Sequence, residues 1–123
     1  MKKALFLILF ISSPVVYAEW KLVSMNDVLD KYYVETKSIQ TFNNYKRAWV
    51  RHEFNEKIDT NMLSARSYEE YDCKERKMRM LSFEGFKKSN LTDSFGITTK
   101  IYDWIFVPPD TSRAAIFSFI CQK

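Results

Sequence analysis

The sequence contains few residues that could do chemistry: two cysteines, Cys73 and Cys121, and a single histidine, His52. A zinc site needs more ligands of the right type than these residues provide. A triad-type hydrolase needs a nucleophile, an oriented base and an oxyanion donor, and no such spacing surrounds His52. Its alternation with Ala48 and Val50 predicts a partly buried strand residue. The sequence therefore predicts no catalytic residue, no metal site and no cofactor.

Carboxylates are the other candidate catalytic groups. Paired carboxylates can hydrolyse glycosidic bonds, and the pairs available here are Glu69 with Glu70 and Glu53 with Glu56. Adjacent residues of a strand point to opposite faces, so Glu69 and Glu70 cannot act together if their segment is a strand. We therefore expect a protein that is not an enzyme.

Residues 1–18 have the organisation of a secretory signal peptide. Two lysines precede an apolar run from Ala4 to Ile11, and Ala18 ends a small-residue exit site. A membrane anchor is the alternative, but the apolar run is well short of the roughly 20 residues of a spanning helix. Cleavage after Ala18 would start the mature chain at Glu19. The residue directly after the cut is Glu19 and not a cysteine, so we expect no lipid anchor and no stable membrane insertion.

Export determines what the cysteines are for. In an oxidising compartment Cys73 and Cys121 can pair, and only one pairing exists. The bridge would close a long loop, for which the chain-entropy model gives about 4 kcal/mol. The alternative is a reactive Cys73 thiol with a pKa lowered by Lys74 and Arg76, but no thiol-enzyme motif surrounds it. We expect a structural disulfide.

Length and composition indicate one globular domain, residues 19–123. A chain of this size builds a single core but not two. With 46% hydrophobic and 16% aromatic residues it is not disordered. The formal charge of +4 includes two lysines of the predicted signal peptide, so the mature domain is only mildly basic. No nucleic-acid-binding signature is present, and we expect no nucleic-acid partner.

Alternation of aromatic and β-branched residues predicts about six strands. In chain order these are EWKLVS, YYVETKS, NNYKRAWVRHEF, MLSARSYEEYDC, RKMRMLSFEGF and GITTKIYDW, with a single helical turn in MNDVLDK and a loop in NEKIDTN. The third strand is entered through an Asn43-Asn44 turn. The fourth and fifth pair around Lys74 and Glu75. The prolines of VPPDTS end the sixth, because proline cannot donate to a ladder.

After the prolines, Asp110, Thr111 or Ser112 can cap a helix through RAAIFSFIC. A buried strand is the alternative, since a short apolar run does not settle the type. The helix interpretation gives an α+β fold, in which an antiparallel sheet carries a C-terminal helix pinned to one face by the disulfide. The residues that would share the core-facing side of that helix are Ala114, Phe117 and Cys121.

Five segments together resemble the surface-adhesin protein E-like family of exported bacterial domains. They are Trp20, YYVETKSI, RAWV, the strand YDCKERKMRML preceded by ARS, and WIFVPPDT followed later by FIC. The resemblance extends over nearly the whole mature chain. It implies an antiparallel sheet whose C-terminal helix is tied by a disulfide, with Cys73 and Cys121 on the paired positions, and it implies a dimer formed by such sheets.

The chain departs from this family beside its double proline. Ile105 and Phe106 stand where the family often has tryptophan, arginine and proline, and Asp110 and Thr111 replace a glycine-serine pair. The helix start should survive, because aspartate and threonine cap as serine does.

The segment YKRAWVRHEF is the best candidate for a binding surface. Its two faces would show Tyr45, Arg47, Trp49, Arg51 and Glu53 on one side, and Lys46, Ala48, Val50, His52 and Phe54 on the core side. Aromatic residues interleaved with arginines are enriched at protein interfaces, which makes Arg47, Trp49 and Arg51 candidate binding residues. The alternative is that Trp49 belongs to the core and the arginine stems cover it.

One helix covers only part of one face of a six-stranded sheet. The remainder should curve around the helix or self-associate, so a homodimer through the sheet is one expectation. With the family resemblance, these observations predict a secreted, non-enzymatic, adhesin-like binding module that contacts host matrix proteins or an envelope component. A periplasmic inhibitor or immunity-type protein and a structural envelope protein are the alternatives.

Overall fold

The computed structural model describes residues 18–58 and 61–122, so the predicted signal peptide, apart from Ala18, lies outside the described residues. The strands are β1 (Trp20–Met25), β2 (Lys31–Glu35), β3 (Gln40–Phe42), β4 (Tyr45–Glu53), β5 (Ser64–Asp72), β6 (Lys77–Lys88), β7 (Thr92–Thr98) and β8 (Ile105–Phe106), and the helix is α1 (Ser112–Cys121). The predicted α+β fold is confirmed.

All the strands form one antiparallel sheet with the order β1-β2-β4-β5-β6-β7. The two short strands lie beside this path: β3 pairs with β4, and β8 pairs with β6. β3 reaches β4 through the predicted turn, where Asn43 has a positive φ of 54°. Asparagine tolerates this left-handed conformation better than most residues, which explains its place in the turn.

The sixth predicted strand differs in position. GITTKIYDW was expected to be a strand, but β7 starts four residues earlier and ends at Thr98, and residues 99–104 have no regular structure before β8. The chain still follows β6, because the amide of Tyr102 donates to the carbonyl of Met80 at 3.1 Å. β6 has 12 residues, and β7 and β8 pair with the same edge of it, one after the other, with a gap between them. Alternation in the sequence cannot show such an offset.

The predicted helical turn in MNDVLDK is wrong. Asn26 instead makes a side-chain turn, in which its Oδ1 accepts from the amides of Val28 and Asp30 at 3.2 and 2.9 Å. A short 3₁₀ helix lies at Thr36–Ser38, inside the second predicted strand, and the Glu35 carboxylate accepts from its first free amide. In both segments, hydrogen bonds from backbone amides to a nearby side chain stabilise a structure other than the predicted one.

The helix packs against β1, β2 and β4 on one side of the sheet, which we call the inner face. Thr111 caps α1, since its Oγ1 accepts from the amide of Ala114 at 3.0 Å. The helix is therefore confirmed over the strand alternative. The buried core that it closes consists of Val34, Ala48, Val50, Tyr71, Met78, Val107, Ile116, Phe117 and Ile120.

The predicted disulfide is present. Cys73, at the turn after β5, is bonded to Cys121, the last residue of α1, across 48 positions of the chain. Both cysteines and Ala114 are half-buried and pack against the core, and Phe117 lies inside it. The fully buried face of α1 also includes Ile116 and Ile120, so it is centred to one side of the predicted face. The disulfide fixes the C-terminal end of the helix to the sheet.

Candidate binding surface

The side of the sheet away from α1, here called the outer face, carries the predicted binding residues. The register pairs Arg47 with Glu70, Trp49 with Tyr68 and Arg51 with Arg66. Cross-strand partners share a face, so β5 repeats the charged and aromatic alternation of β4. The structure brings these residues together.

Arginines and aromatic rings alternate across the outer face. Four guanidinium groups lie over rings: Arg47 over Phe42 at 4.4 Å, Arg51 over Tyr33 at 5.3 Å and Trp20 at 6.0 Å, Arg66 over Trp49 at 5.4 Å, and Arg79 over Trp104 at 4.4 Å. Trp49 also stacks on Tyr68, with ring centroids 5.0 Å apart. We call these ten residues the outer cluster. Cation–π and stacking contacts of this kind hold side chains in fixed positions.

Carboxylates hold the same arginines from the other side. Glu70 is only 1% exposed and accepts from the Nε of Arg47 at 2.7 Å and from the Nε of Arg79 at 2.8 Å. The hydrogen bond to Glu70 raises the pKa of Arg47, so this guanidinium stays charged. Arg66 is bonded to Glu84 at 2.8 Å. Charge-assisted pairs with this geometry orient the guanidinium planes.

Arg51 is held less completely. Its Nη2 donates to Asn90 Oδ1 at 2.8 Å and lies 3.3 Å from Glu53 Oε1. Its Nε is buried and has no hydrogen-bond partner among the described residues. An unpaired buried donor costs free energy, and the two rings beside Arg51 offset part of that cost by a cation–π attraction.

The position of Trp49 agrees in part with each of the two interpretations of the sequence, a binding residue and a core residue. It is half-buried on the outer face and outside the core cluster, and the guanidinium of Arg66 covers its ring. The arginines remain partly accessible, with side-chain exposures of 31% for Arg47, 41% for Arg66 and 28% for Arg79. The surface therefore offers guanidinium edges to a partner, with aromatic rings beneath them.

Sequence reasoning did not find the outer-face residues that come from other strands. The alternation of Arg66, Tyr68 and Glu70 along β5 is a signal that could have identified the members on that strand. Arg79 and Trp104 had no comparable signal, because Trp104 follows the irregular residues 99–103 and reaches the outer face only through their path.

The inner face holds a buried polar cluster beneath α1. Glu69 is 1% exposed and accepts from Ser67 Oγ at 2.5 Å, from the Tyr71 hydroxyl at 2.8 Å and from Arg113 Nη1 at 3.3 Å. Burial raises the pKa of Tyr71 well above its ordinary value, and Glu69 raises it further, so the hydroxyl remains a donor. Glu69 thus joins β5 to the first turn of the helix.

His52 lies beside this cluster, with its Nε2 4.0 Å from Glu69 Oε2 and 3.5 Å from Ser67 Oγ. Burial lowers the pKa of His52, which favours the neutral ring, although the charge of Glu69 acts in the opposite direction. The Ser67 hydroxyl is directed at Glu69 and is fully buried, so a substrate cannot reach it. The arrangement is a satisfied core network on a strand, as predicted for His52.

Residues 18–58 and 61–122 contain neither a metal-ligand cluster nor a membrane-spanning helix. No three side chains of the His, Cys, Asp and Glu types converge there in a way that could hold a metal ion. In the same part of the chain, no helix has both the length and the apolar character needed to cross a membrane.

Comparison with known proteins gives the family. The family model described as surface-adhesin protein E matches residues 20–122. No curated protein shows a significant match. Among solved structures, crystal form II of Haemophilus influenzae protein E superposes with a TM-score of 0.65 at 14% identity, covering 87% of this chain and 90% of that one. The selenomethionine form of the same protein gives a TM-score of 0.62 at 14% identity, over 87% of this chain and 88% of that one. At this identity the likeness shows a shared fold, and the match over residues 20–122 shows that the chain belongs to the surface-adhesin protein E family.

Proposed function

We propose that this chain is an exported, non-enzymatic, adhesin-like module that binds a protein partner through its outer face. The observation that carries the proposal is the outer cluster, in which four arginines lie over aromatic rings on the side of the sheet that α1 does not cover. Membership of an adhesin family supports the same class of function.

The composition of the outer cluster suits a protein partner. Tryptophan, tyrosine and arginine supply most hot-spot residues at protein interfaces, because they bury a large area and still make directional contacts. The rings and guanidinium groups are already held by stacking and by carboxylates, so binding would immobilise few new rotamers. Preorganisation of this kind increases affinity by lowering the entropic cost of association.

The charge balance argues against a nucleic-acid partner. Each arginine of the outer cluster lies against a carboxylate of the same chain: Arg47 and Arg79 against Glu70, Arg51 against Glu53, and Arg66 against Glu84. Binding to a phosphate backbone depends on cations that release counterions from it, and internally paired arginines contribute little to that. A protein surface with hydrogen-bond acceptors and an apolar centre is the better match.

The partner that we propose is a host matrix protein or a component of the bacterial envelope. The predicted signal peptide supports export, and the disulfide supports folding in an oxidising compartment. Two copies could also meet through the outer face, so light scattering of the purified protein should accompany every binding measurement. Protease treatment of intact cells distinguishes the surface from the periplasm, and a fully protected protein would contradict the adhesin assignment.

Binding to immobilised matrix and envelope proteins should be measured for alanine variants at Arg47, Trp49 and Arg51. Alanine variants at Lys57 and Lys87, which are exposed and lie outside the outer cluster, are the controls. We expect Trp49→Ala to weaken binding by about thirtyfold or more, as at a hot spot, and the controls to bind normally.

Folding must be checked separately, because Arg47 is bonded to buried Glu70 and its loss also affects stability. Near-ultraviolet circular dichroism and thermal melts of each variant provide that check. Equal losses at all five positions in folded variants would show that the outer face is not the binding surface.

A further inference from the structure

A cavity of about 340 Å³ opens on the inner face, at the edge of the part of the sheet that α1 covers. Its floor is Met78, Met80 and Phe83 of β6, and its wall is Tyr102 and Ile105 of the following chain. The register places Met78 opposite Tyr71, Met80 opposite Glu69 and Phe83 opposite Ser67, so the floor lies on the inner face, opposite the outer cluster.

The cavity exists because of two features of the fold. The helix packs on β1, β2 and β4, so it covers little of the inner face of β6. Residues 99–104 leave the ladder between β7 and β8, so they border β6 without closing over it. The volume falls within the range of small-molecule sites, and methionine side chains on the floor can adapt to an apolar ligand.

One cation at the cavity is available for a ligand. Arg113, in the first turn of α1, is 34% exposed and bonds Glu69 and the sulfur of Met78 through Nη1 alone. Its Nη2 and Nε have no acceptor among the described residues, and a guanidinium presents five N–H donors. The second cation of the lining, Arg79, is bonded to Glu70 through both Nε and Nη2.

From this arrangement we propose that the cavity binds a small organic acid with an apolar chain. The chain would lie on Met80 and Phe83, beside the almost fully buried Met78, and the carboxylate would accept from the nitrogens of Arg113 that have no other acceptor. Asp103 is an exposed lining residue of the same cavity, so its charge opposes the carboxylate weakly through solvent. The cavity opens on the face opposite the outer cluster and shares only Arg79 with it, whose guanidinium is bonded to Glu70.

Octanoate and octylammonium, which share a chain but carry opposite charges, are the probes. Calorimetry on the purified protein with its disulfide intact should give octanoate a dissociation constant below about 1 mM, as expected for a well-buried ligand of this size. Octylammonium should bind at least about tenfold more weakly. Equal binding of the two probes, or no saturable binding of octanoate, overturns the proposal.

Two adjacent residues of β8 give a matched pair of variants. Ile105 lines the cavity and is 49% exposed, whereas Phe106 is 57% exposed and pairs with Lys77, on the other face. Ile105→Glu should abolish octanoate binding and improve octylammonium binding, because it places a carboxylate at the opening. Phe106→Glu should leave both affinities unchanged. Identical behaviour of the two variants would exclude the cavity as the site.

Asp103→Asn tests the electrostatic part of the proposal without touching a buried group. Loss of this charge should strengthen octanoate binding by about two- to fivefold, the scale of an exposed charge pair, and weaken octylammonium binding. A change of opposite sign would contradict the placement of the carboxylate on Arg113.

Discussion

Glu69 and Glu70 are neighbours on one strand, each only 1% exposed, yet the two faces of the sheet use them differently. On the inner face, Glu69 is bonded to two hydroxyls and to a single arginine from the helix. On the outer face, Glu70 is bonded to two arginines from the strands on either side. Strand alternation alone sends the two carboxylates to opposite faces.

The two faces therefore have different roles: the inner face stabilises the fold, and the outer face presents a surface. Glu69 links β5 to α1 across 44 positions of the chain, so its bonds stabilise the docking of the helix. Glu70 links β4 to β6 on the uncovered side, and the arginines it holds keep part of their surface in water. The inner face thus behaves as a core with polar members, and the outer face as a rigid, partly hydrated surface.

The largest expected effect follows from Glu69→Ala. The change leaves the buried Tyr71 hydroxyl without its acceptor and Arg113 without its carboxylate, so we expect a loss of about 3–5 kcal/mol in the free energy of unfolding. Urea denaturation followed by circular dichroism measures it. A loss no greater than that of Glu70→Ala would contradict the division between the two faces.

The disulfide should have the next largest effect. Replacing Cys73 and Cys121 by alanine releases a loop of 48 residues, and native bridges of small secreted domains contribute about 2–5 kcal/mol. The end of α1 should open first, because the bridge holds its last residue, and hydrogen exchange of the helix amides would detect that. The idea would be rejected by an unchanged melting temperature in the double variant, or by two free thiols in the unfolded, unreduced parent.

Glu70→Ala should destabilise the protein less, by about 1–3 kcal/mol. Arg47 and Arg79 are 31% and 28% exposed, so both can turn towards water when their shared carboxylate is removed. Binding of the partner should suffer more than stability does, since the guanidinium groups lose their fixed orientation. Unfolding and binding measured on the same preparation separate the two effects, and unchanged binding would remove Glu70 from the proposed surface.

Much of this comparison could be predicted from alternation, and some of it could not. The strands β4, β5 and β6, the opposite directions of Glu69 and Glu70, and the cap and bridge of α1 follow from local patterns and from the cysteine count. The meeting of Arg113 with Glu69, or of Arg79 with Trp104, depends on lateral neighbours, which a single-strand pattern does not specify. The cavity depends on the displaced residues 99–104.

The smallest expected effect is a loss of stability at acidic pH, and it arises on the inner face alone. Burial lowers the pKa of His52 below its ordinary value of 6.5, so between the two values the unfolded chain binds a proton that the folded chain does not. Stability is therefore present above pH 6.5 and falls as the pH drops from there towards the folded-state pKa. His52→Gln removes this contribution, so its melting temperature should fall less than that of the parent between pH 7.5 and pH 5, values chosen to bracket the ordinary histidine range. Carboxylates that titrate in both proteins cancel in the difference. Parallel melting curves for the two proteins across that range would mean that the ring of His52 does not distinguish the folded from the unfolded state.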